Sequence, residues 1–171
     1  MVQSRGLGDV YKRQDILHCI WYPDPEFDLP IFGADIVANK NIVTAAITDI
    51  SPVDGVDHPI YEDIEDISRY YSFRHNREIP TWGKIFSPYC KFARLDDSEE
   101  IDTFCHVVDE YLDVFVGAVW KSTMNYNRAD ERYEGQIEYC EKQKKNDKTR
   151  RILEKYFGQK WADDYINEVL F

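Results

Sequence analysis

The spacing of apolar residues changes near Ser98, and this change constrains the fold more than any other feature of the sequence. Before Ser98, short β-branched and aromatic runs alternate with polar turns, a pattern typical of β-strands. After it, apolar residues recur at intervals of three and four, a pattern typical of amphipathic helices. Strands followed by helices predict an antiparallel sheet with helices packed on its faces.

Four apolar runs have the composition of strands. They span residues 16–22, 31–38, 42–50 and 84–95. The second and third runs are separated by a short polar turn, which favours an antiparallel hairpin. Pro88 interrupts the fourth run, because proline has no N–H to offer to a neighbouring strand.

The helical part should begin with a long helix at Ser98, where Asp97 and Glu100 offer a capping pair. Other helices are predicted for residues 59–71, 130–142, 148–157 and 162–170. With 171 residues, 43% of them hydrophobic, the chain can form one domain with a sizeable core.

Residues 1–14 (MVQSRGLGDVYKRQ) do not fit this organisation. Three basic residues lie in this segment of an acidic chain, and no apolar period links it to the strand at residues 16–22. The string DVYKRQ can be back-translated into the end of a transposon adaptor used in library preparation. We therefore expect residues 1–14 to be adaptor-derived or a disordered tail, and residues 15–171 to form the domain. The strand at residues 16–22 would then lack a partner before it.

Charge and cysteine usage exclude several classes of protein. A formal net charge of −11 disfavours nucleic acid and anionic membranes as partners. The sequence shows no signal peptide and no run of 18 apolar residues, so a cytoplasmic location is expected. Cys19, Cys90, Cys105 and Cys140 form no CxxC pair, which argues against zinc, iron–sulfur clusters and disulfides. Cys19 and Cys105 are predicted to be small core residues.

Two ionisable residues interrupt the apolar faces of neighbouring strands. Alternation places His18 between Ile16 and Ile20 on one strand, and Asp35 between Gly33 and Val37 on the next. An apolar setting raises the pKa of a carboxyl and lowers that of an imidazole, which suits both groups to proton transfer. The pattern is also compatible with a hydrogen-bonded core histidine and an aspartate at a sheet edge.

A basic run, residues 142–151 (KQKKNDKTRR), stands out in this acidic chain. It can bind carboxylates of a ligand or dock an acidic partner, or it can be a solvated helix start capped by Asn146 or Asp147. Arg77 and Trp82, in HNREIPTWG, present the same choice between contact with an anion and ordinary loop packing.

Three long motifs resemble the ferredoxin-dependent bilin reductases. They are DILHCIWYPDPEFDLPIFGADIVANKNIVTAAITDISPV, REIPTWGKIFSPYC and YCEKQKKNDKTRRILEKYFG, followed by W-A-x-x-Y and VLF. The resemblance implies an α/β fold, an α/β/α sandwich whose central antiparallel sheet and C-terminal helices enclose biliverdin. It also implies that no metal or flavin is bound, that reduced ferredoxin (2Fe-2S) supplies single electrons, and that the protein supplies protons through a bilin radical.

The resemblance assigns catalysis to His18 and Asp35. Asp35 would protonate or hydrogen-bond the pigment near its pyrrole nitrogens or carbonyls, and His18 would hold a lactam oxygen and relay protons. Arg77 and Lys148 would contact the two propionates. The remaining matched positions would line the pocket; they are Thr44, Asn146, Thr149 and Ile152.

The implied product is a phycobilin, with phycocyanobilin expected and a phycoerythrobilin-forming relative as the alternative. The choice depends on a glutamate that relatives of the first type carry twelve residues before the histidine, where this chain has Gly6. An inactive, truncated bilin-binding fragment is a further alternative. Ferredoxin would dock on the basic run together with Lys84 and Lys91, and the protein is expected to act as a monomer.

Overall fold

The computed structural model describes residues 2–7, 15–39, 42–55 and 58–171, with the backbone alone for residues 2–7 and Lys148. Within these residues, six strands form one antiparallel sheet in the order β1-β2-β3-β4-β6-β5. The strands are β1 (Val2–Leu7), β2 (Asp15–Trp21), β3 (Ile31–Asn39), β4 (Ile42–Ser51), β5 (His75–Asn76) and β6 (Lys91–Leu95). The predicted hairpin is confirmed as β3 and β4.

The helices lie close to the predicted positions. They are α1 (Ile60–Tyr70), α2 (Ser98–Lys121), α3 (Ala129–Gln143), α4 (Asp147–Phe157) and α5 (Gln159–Tyr165), followed by a π-helical turn, Ile166–Leu170. The Asp97 carboxylate accepts a hydrogen bond from the Glu100 N–H at 3.0 Å, which satisfies a free donor of the first turn of α2. The predicted cap is therefore confirmed.

The two faces of the sheet pack against different helices. Alternate residues of β3 and β4, including Phe32 and Ile50, form the main core with α1 and α2. Ile64 and Phe104 close this core from the helical side, and both are fully buried. The opposite face of the sheet looks towards α3, α4 and α5 across a cavity. This arrangement confirms the α/β/α sandwich.

The sheet contains one strand before Asp15, β1, although β2 was expected to lack a partner from that part of the chain. β1 pairs with β2 along its whole length, from Val2 opposite Trp21 to Leu7 opposite Ile16. Residues 8–14 lie outside the described part of the chain. The assignment of residues 1–14 to an adaptor remains a prediction about the origin of the segment.

The predicted strand at residues 84–95 is wrong in its first half, since β6 begins only at Lys91. Residues before it form turns, in which the Asp49 carboxylate accepts hydrogen bonds from the Ser87 N–H at 2.9 Å and the Ser87 hydroxyl at 2.5 Å. Pro88 supplies no N–H for a ladder. Hydrogen bonds from Ser87 to the distant Asp49 therefore replace strand pairing in this segment.

α3 is fixed to the connection between β2 and β3 by buried polar contacts. The guanidinium of Arg132, only 1% exposed, donates to the carbonyls of Pro25 and Asn125. One turn further, the Gln136 amide donates to the Pro23 carbonyl at 2.7 Å. Gly135 lies between these two residues and allows the helix backbone to touch the backbone of Val53. These contacts hold one wall of the cavity in place.

Candidate functional site

A cavity of about 520 Å³ lies between the sheet and helices α3, α4 and α5. This volume is within the range of sites that bind small molecules and cofactors. Most of its surface is apolar, and it includes Ile16, Ile20, Val37 and Phe92 from the strands. A few polar side chains from different elements converge on this apolar space, as expected for a binding site.

His18 and Asp35 lie side by side at the centre of the sheet wall. They are directly opposite each other in the β2–β3 register, so both side chains project from the same face into the cavity. His18 Nδ1 and Asp35 Oδ2 are 3.9 Å apart, which is within the distance of an ion pair but too long for a hydrogen bond. A ligand atom or a water molecule can bridge them.

The other carboxylate oxygen of Asp35 is available to a ligand. Among the residues that the structure describes, Asp35 Oδ1 is the buried side-chain polar atom that has no hydrogen-bond partner. An unsatisfied buried oxygen is costly, and an N–H donor of a ligand would remove this cost. Phe171, the last residue of the chain, lies edge-on to the His18 ring, with ring centroids 5.8 Å apart.

The other predicted site residues are brought to the same cavity. Arg77 lies with its guanidinium 5.7 Å from the centroid of the Phe92 ring, a cation–π contact. The Thr44 hydroxyl donates to the Val37 carbonyl at 3.0 Å, close to an irregularity in the β4 register. From the start of α4, the lining includes Asn146, Thr149 and Ile152.

Lys148 is the exception, because its side chain lies outside the described part of the structure. Its backbone belongs to the first turn of α4, between the lining residues Asp147 and Thr149. Its predicted contact with a propionate therefore stays a prediction. Lys145, at the connection between α3 and α4, also lines the cavity.

Asp49 is a cavity residue that the sequence analysis missed. It lies on β4, is 2% exposed, and accepts hydrogen bonds from Ser51 and Ser87. Burial raises the pKa of the Asp49 carboxyl, although these hydrogen bonds oppose the shift. The signal was present, since Asp49 is a single carboxylate in an apolar strand, as Asp35 is.

Tyr139 of α3 was also missed as a lining residue. It is fully buried, and its hydroxyl accepts a hydrogen bond from the Gln143 amide at 2.9 Å. Burial raises the pKa of the Tyr139 phenol. A Cβ at Gly33 would lie 3.4 Å from the same hydroxyl, so the small residue of β3 leaves room for this ring.

The expected docking surface needs one correction. Lys91 is partly buried, and its ammonium donates to the carbonyls of Ser68 at 2.5 Å and Tyr71 at 3.0 Å. Burial lowers the pKa of Lys91. Lys91 is therefore a structural cation that joins β6 to the end of α1, whereas Lys84 is exposed.

Cys105 is exposed on α2, so its predicted place in the core is wrong, while Cys19 packs against the main core.

Among the described residues, the structure places no three His, Cys, Asp or Glu side chains where they could hold a metal ion. None of the helices in the same ranges is long and apolar enough to span a bilayer.

Comparison with known proteins supports the family resemblance. Residues 7–171 match the family described as ferredoxin-dependent bilin reductase. The chain is 47% identical over 166 residues to the phycocyanobilin:ferredoxin oxidoreductase of Synechococcus sp. (strain CC9902), covering 91% of this chain and 65% of the relative. It is 45% identical over 161 residues to the protein of the same name from Prochlorococcus marinus (strain MIT 9303), covering 91% of this chain and 60% of the relative.

The fold matches that of a solved relative as well. Phytochromobilin synthase from tomato, crystallised in complex with biliverdin, superposes with a TM-score of 0.79 at 21% sequence identity. The match covers 95% of this chain and 62% of the tomato protein. The chain thus spans less than two thirds of the length of these relatives. On the family match and the sequence identity, the chain belongs to the ferredoxin-dependent bilin reductases.

Proposed function

We propose that this protein reduces biliverdin to a phycobilin with electrons from reduced ferredoxin, and that phycocyanobilin is the product. The observation that carries the proposal is the pairing of His18 and Asp35 in a cavity of about 520 Å³, where Asp35 Oδ1 is buried and has no hydrogen-bond partner among the residues that the structure describes. The family supports the electron donor, and the names of the two cyanobacterial relatives support the product. The biliverdin complex of the tomato enzyme supports the substrate.

The chemistry explains why an acid and an imidazole should face the pigment. Ferredoxin delivers single electrons without protons, so each pair of electrons added to a carbon–carbon double bond requires a pair of protons from the protein. The first electron produces a bilin radical, which becomes more basic and takes a proton from Asp35. His18 holds a lactam oxygen and returns a proton from solvent to Asp35.

The rest of the cavity positions the pigment. Arg77, on one side, would pair with one propionate, and Lys148, at the start of α4, would pair with the other. Thr44, Asn146, Thr149 and Ile152 would contact the ring system or the acid groups. Two cations from different segments of the chain would fix the orientation of a dianionic ligand, and orientation decides which double bond lies next to the proton donor.

A phycoerythrobilin product is the second candidate. In the structure, Gly6 of β1 pairs with Leu17 of β2, and glycine has no side chain that could donate a proton. A reductase without the glutamate expected at this position can stop after one double bond or reduce a different one. Absorption spectra of the extracted product distinguish these outcomes.

Docking of ferredoxin is proposed on the basic run, residues 142–151, and the exposed Lys84. Attraction between opposite charges mainly raises the association rate and is weakened by salt. We propose that the contact with ferredoxin is transient, and, as a separate expectation, that the protein acts as a monomer.

The test uses Asp35→Asn in the 171-residue chain, with the exposed Asp113→Asn of α2 as the matched control. Both variants are mixed with biliverdin and then with reduced ferredoxin in the absence of oxygen. We expect Asp35→Asn to bind the pigment but to reduce it about a hundredfold more slowly, the usual contribution of a general acid. Conversion by Asp35→Asn at the wild-type rate would contradict the assignment, and absence of conversion by the wild type would contradict the function.

A further inference from the structure

The W-A-x-x-Y motif contributes two aromatic rings that the proposed proton chemistry does not use. Trp161 and Tyr165 are four residues apart on α5, so they lie on the same helix face. Their rings are stacked, with centroids 4.8 Å apart and planes 10° apart. Phe157, at the end of α4, extends the array with a centroid 4.4 Å from Trp161. We call Phe157, Trp161 and Tyr165 the aromatic stack.

The aromatic stack connects the protein surface to the cavity. At its outer end, Phe157 and Trp161 are each 41% exposed. At its inner end, Tyr165 lines the cavity. Tyr165 also packs in the same apolar cluster as Phe171, whose ring lies edge-on to His18. The stacked rings therefore run from solvent to the cavity, where Tyr165 shares an apolar cluster with the residue that touches His18.

Packing of α5 does not account for the outer part of the aromatic stack. The helix is attached to α4 through Ala162 and the following Ile166, both fully buried against Leu153. Trp161 lies on the solvent side of this attachment, where a large apolar side chain does little for the core. Its position is better explained by contact with a partner or a redox role.

The surface around the outer end of the aromatic stack is basic. Residues 142–165, which include all of α5, contain eight Lys or Arg and four Asp or Glu, a net charge of +4 in a chain whose net charge is −11. On α5 itself, Asp163 is paired with Arg150, and Asp164 is paired with Lys160 at 2.6 Å. The exposed Lys155 lies over the Tyr156 ring, 5.6 Å from its centroid. An acidic electron carrier complements the positive charge around the aromatic stack, and the half-exposed rings offer it an apolar contact.

We propose that Trp161 and Tyr165 form the route by which electrons pass from reduced ferredoxin to the bound pigment. This inference rests on the proposed function. In each step, ferredoxin loses one electron and the pigment gains it, while the two rings only couple donor to acceptor and return unchanged. Overlapping π systems give stronger electronic coupling than aliphatic side chains do, and the exposed edge of Trp161 gives the partner a surface to contact.

The test compares Trp161→Leu, which removes the ring, with Trp161→Phe, which keeps an aromatic ring. Trp120→Leu is the matched control, because Trp120 is 85% exposed on α2, which packs on the other face of the sheet. Each variant of the 171-residue chain is loaded with biliverdin and reduced either by ferredoxin or by a small chemically reduced viologen. The measurements are pigment affinity, thermal stability and the rate at which the pigment absorption band disappears.

We expect Trp161→Leu to slow reduction by ferredoxin about tenfold, the effect of losing one aromatic anchor of an interface. Reduction by the viologen, pigment affinity and stability should stay at wild-type levels, and Trp161→Phe should recover most of the rate. An unchanged ferredoxin rate in Trp161→Leu would overturn the inference and leave the proposed function intact. Equal slowing with both reductants would show a structural role and overturn it as well. A wild type that ferredoxin cannot reduce would overturn both.

Discussion

Replacing Gly135 by alanine should push α3 away from the backbone of Val53 and destabilise the protein. An ideal Cβ at this position would lie 1.6 Å from the Val53 carbonyl oxygen and 2.5 Å from its carbonyl carbon. Ordinary van der Waals contact begins at 3.4 Å, so the two backbones must move apart by about 1.8 Å. A backbone carbonyl cannot rotate away as a flexible side chain can, so the helix itself has to shift.

The size of the effect depends on the contacts on either side of Gly135. A shift of this size breaks the hydrogen bonds of Arg132 to Pro25 and of Gln136 to Pro23, which are 2.8 Å and 2.7 Å long. Overpacking costs about 1–3 kcal/mol, and each lost hydrogen bond costs about 1 kcal/mol more. Alanine regains about 1 kcal/mol of helix propensity. We expect Gly135→Ala to lower the free energy of unfolding by about 3 kcal/mol.

Gly117→Ala is the matched control, because a Cβ at Gly117 in α2 would have no atom within 4 Å. That variant should be more stable than the wild type by about 0.5–1 kcal/mol, since the backbone of alanine loses less entropy in a helix. Urea unfolding followed by circular dichroism measures both changes. If Gly135→Ala unfolds at the same urea concentration as Gly117→Ala, the close contact with Val53 does not constrain the protein.

Two further substitutions test buried polar groups. Because burial raises the pKa of Asp49, the folded state holds its proton more tightly than the unfolded state, and the carboxyl costs stability as pH rises from about 4 through the folded pKa. Asp49→Asn can keep the contacts with Ser87, so its stability relative to the wild type should increase as pH rises above about 4 in urea titrations; a constant difference would refute this. Arg132→Met keeps the volume but leaves two backbone carbonyls without donors, and it should lower the free energy of unfolding by about 3 kcal/mol. The exposed Arg151→Met should change it by less than about 0.5 kcal/mol, and equal thermal unfolding of the two variants would contradict the role of Arg132.

The cavity-facing side of the sheet could be predicted from the sequence, because side-chain direction in a strand depends only on the pleat. Alternation alone placed His18 and Asp35 on faces with apolar neighbours, and antiparallel pairing then brings those faces to one side. The hairpin and the long helix were predictable for the same reason, since turn residues and apolar spacing act locally. What the two polar residues do could not be derived in this way and came from the family resemblance.

Contacts between distant segments could not be predicted. The hydrogen bonds of Asp49 join residues 38 positions apart, and they turn a segment with strand composition into a series of turns. Lys91 has the sequence character of a surface cation, but the end of α1 covers it. Cys105 follows the apolar spacing of α2, yet its side chain is exposed and does not pack in the core. In each case tertiary packing, not local preference, decides the environment.

The pairing of His18 with Asp35 also affects how the sheet assembles. If β3 slipped by one residue along β2 or β4, Asp35 would turn towards the core that Phe104 and Val107 fill. A carboxylate without partners in that environment would be strongly unfavourable, so misaligned hairpins are selected against during folding. Replacing both polar residues by apolar ones should remove this discrimination. The residues that serve the cavity thus help the chain to choose one alignment of its strands.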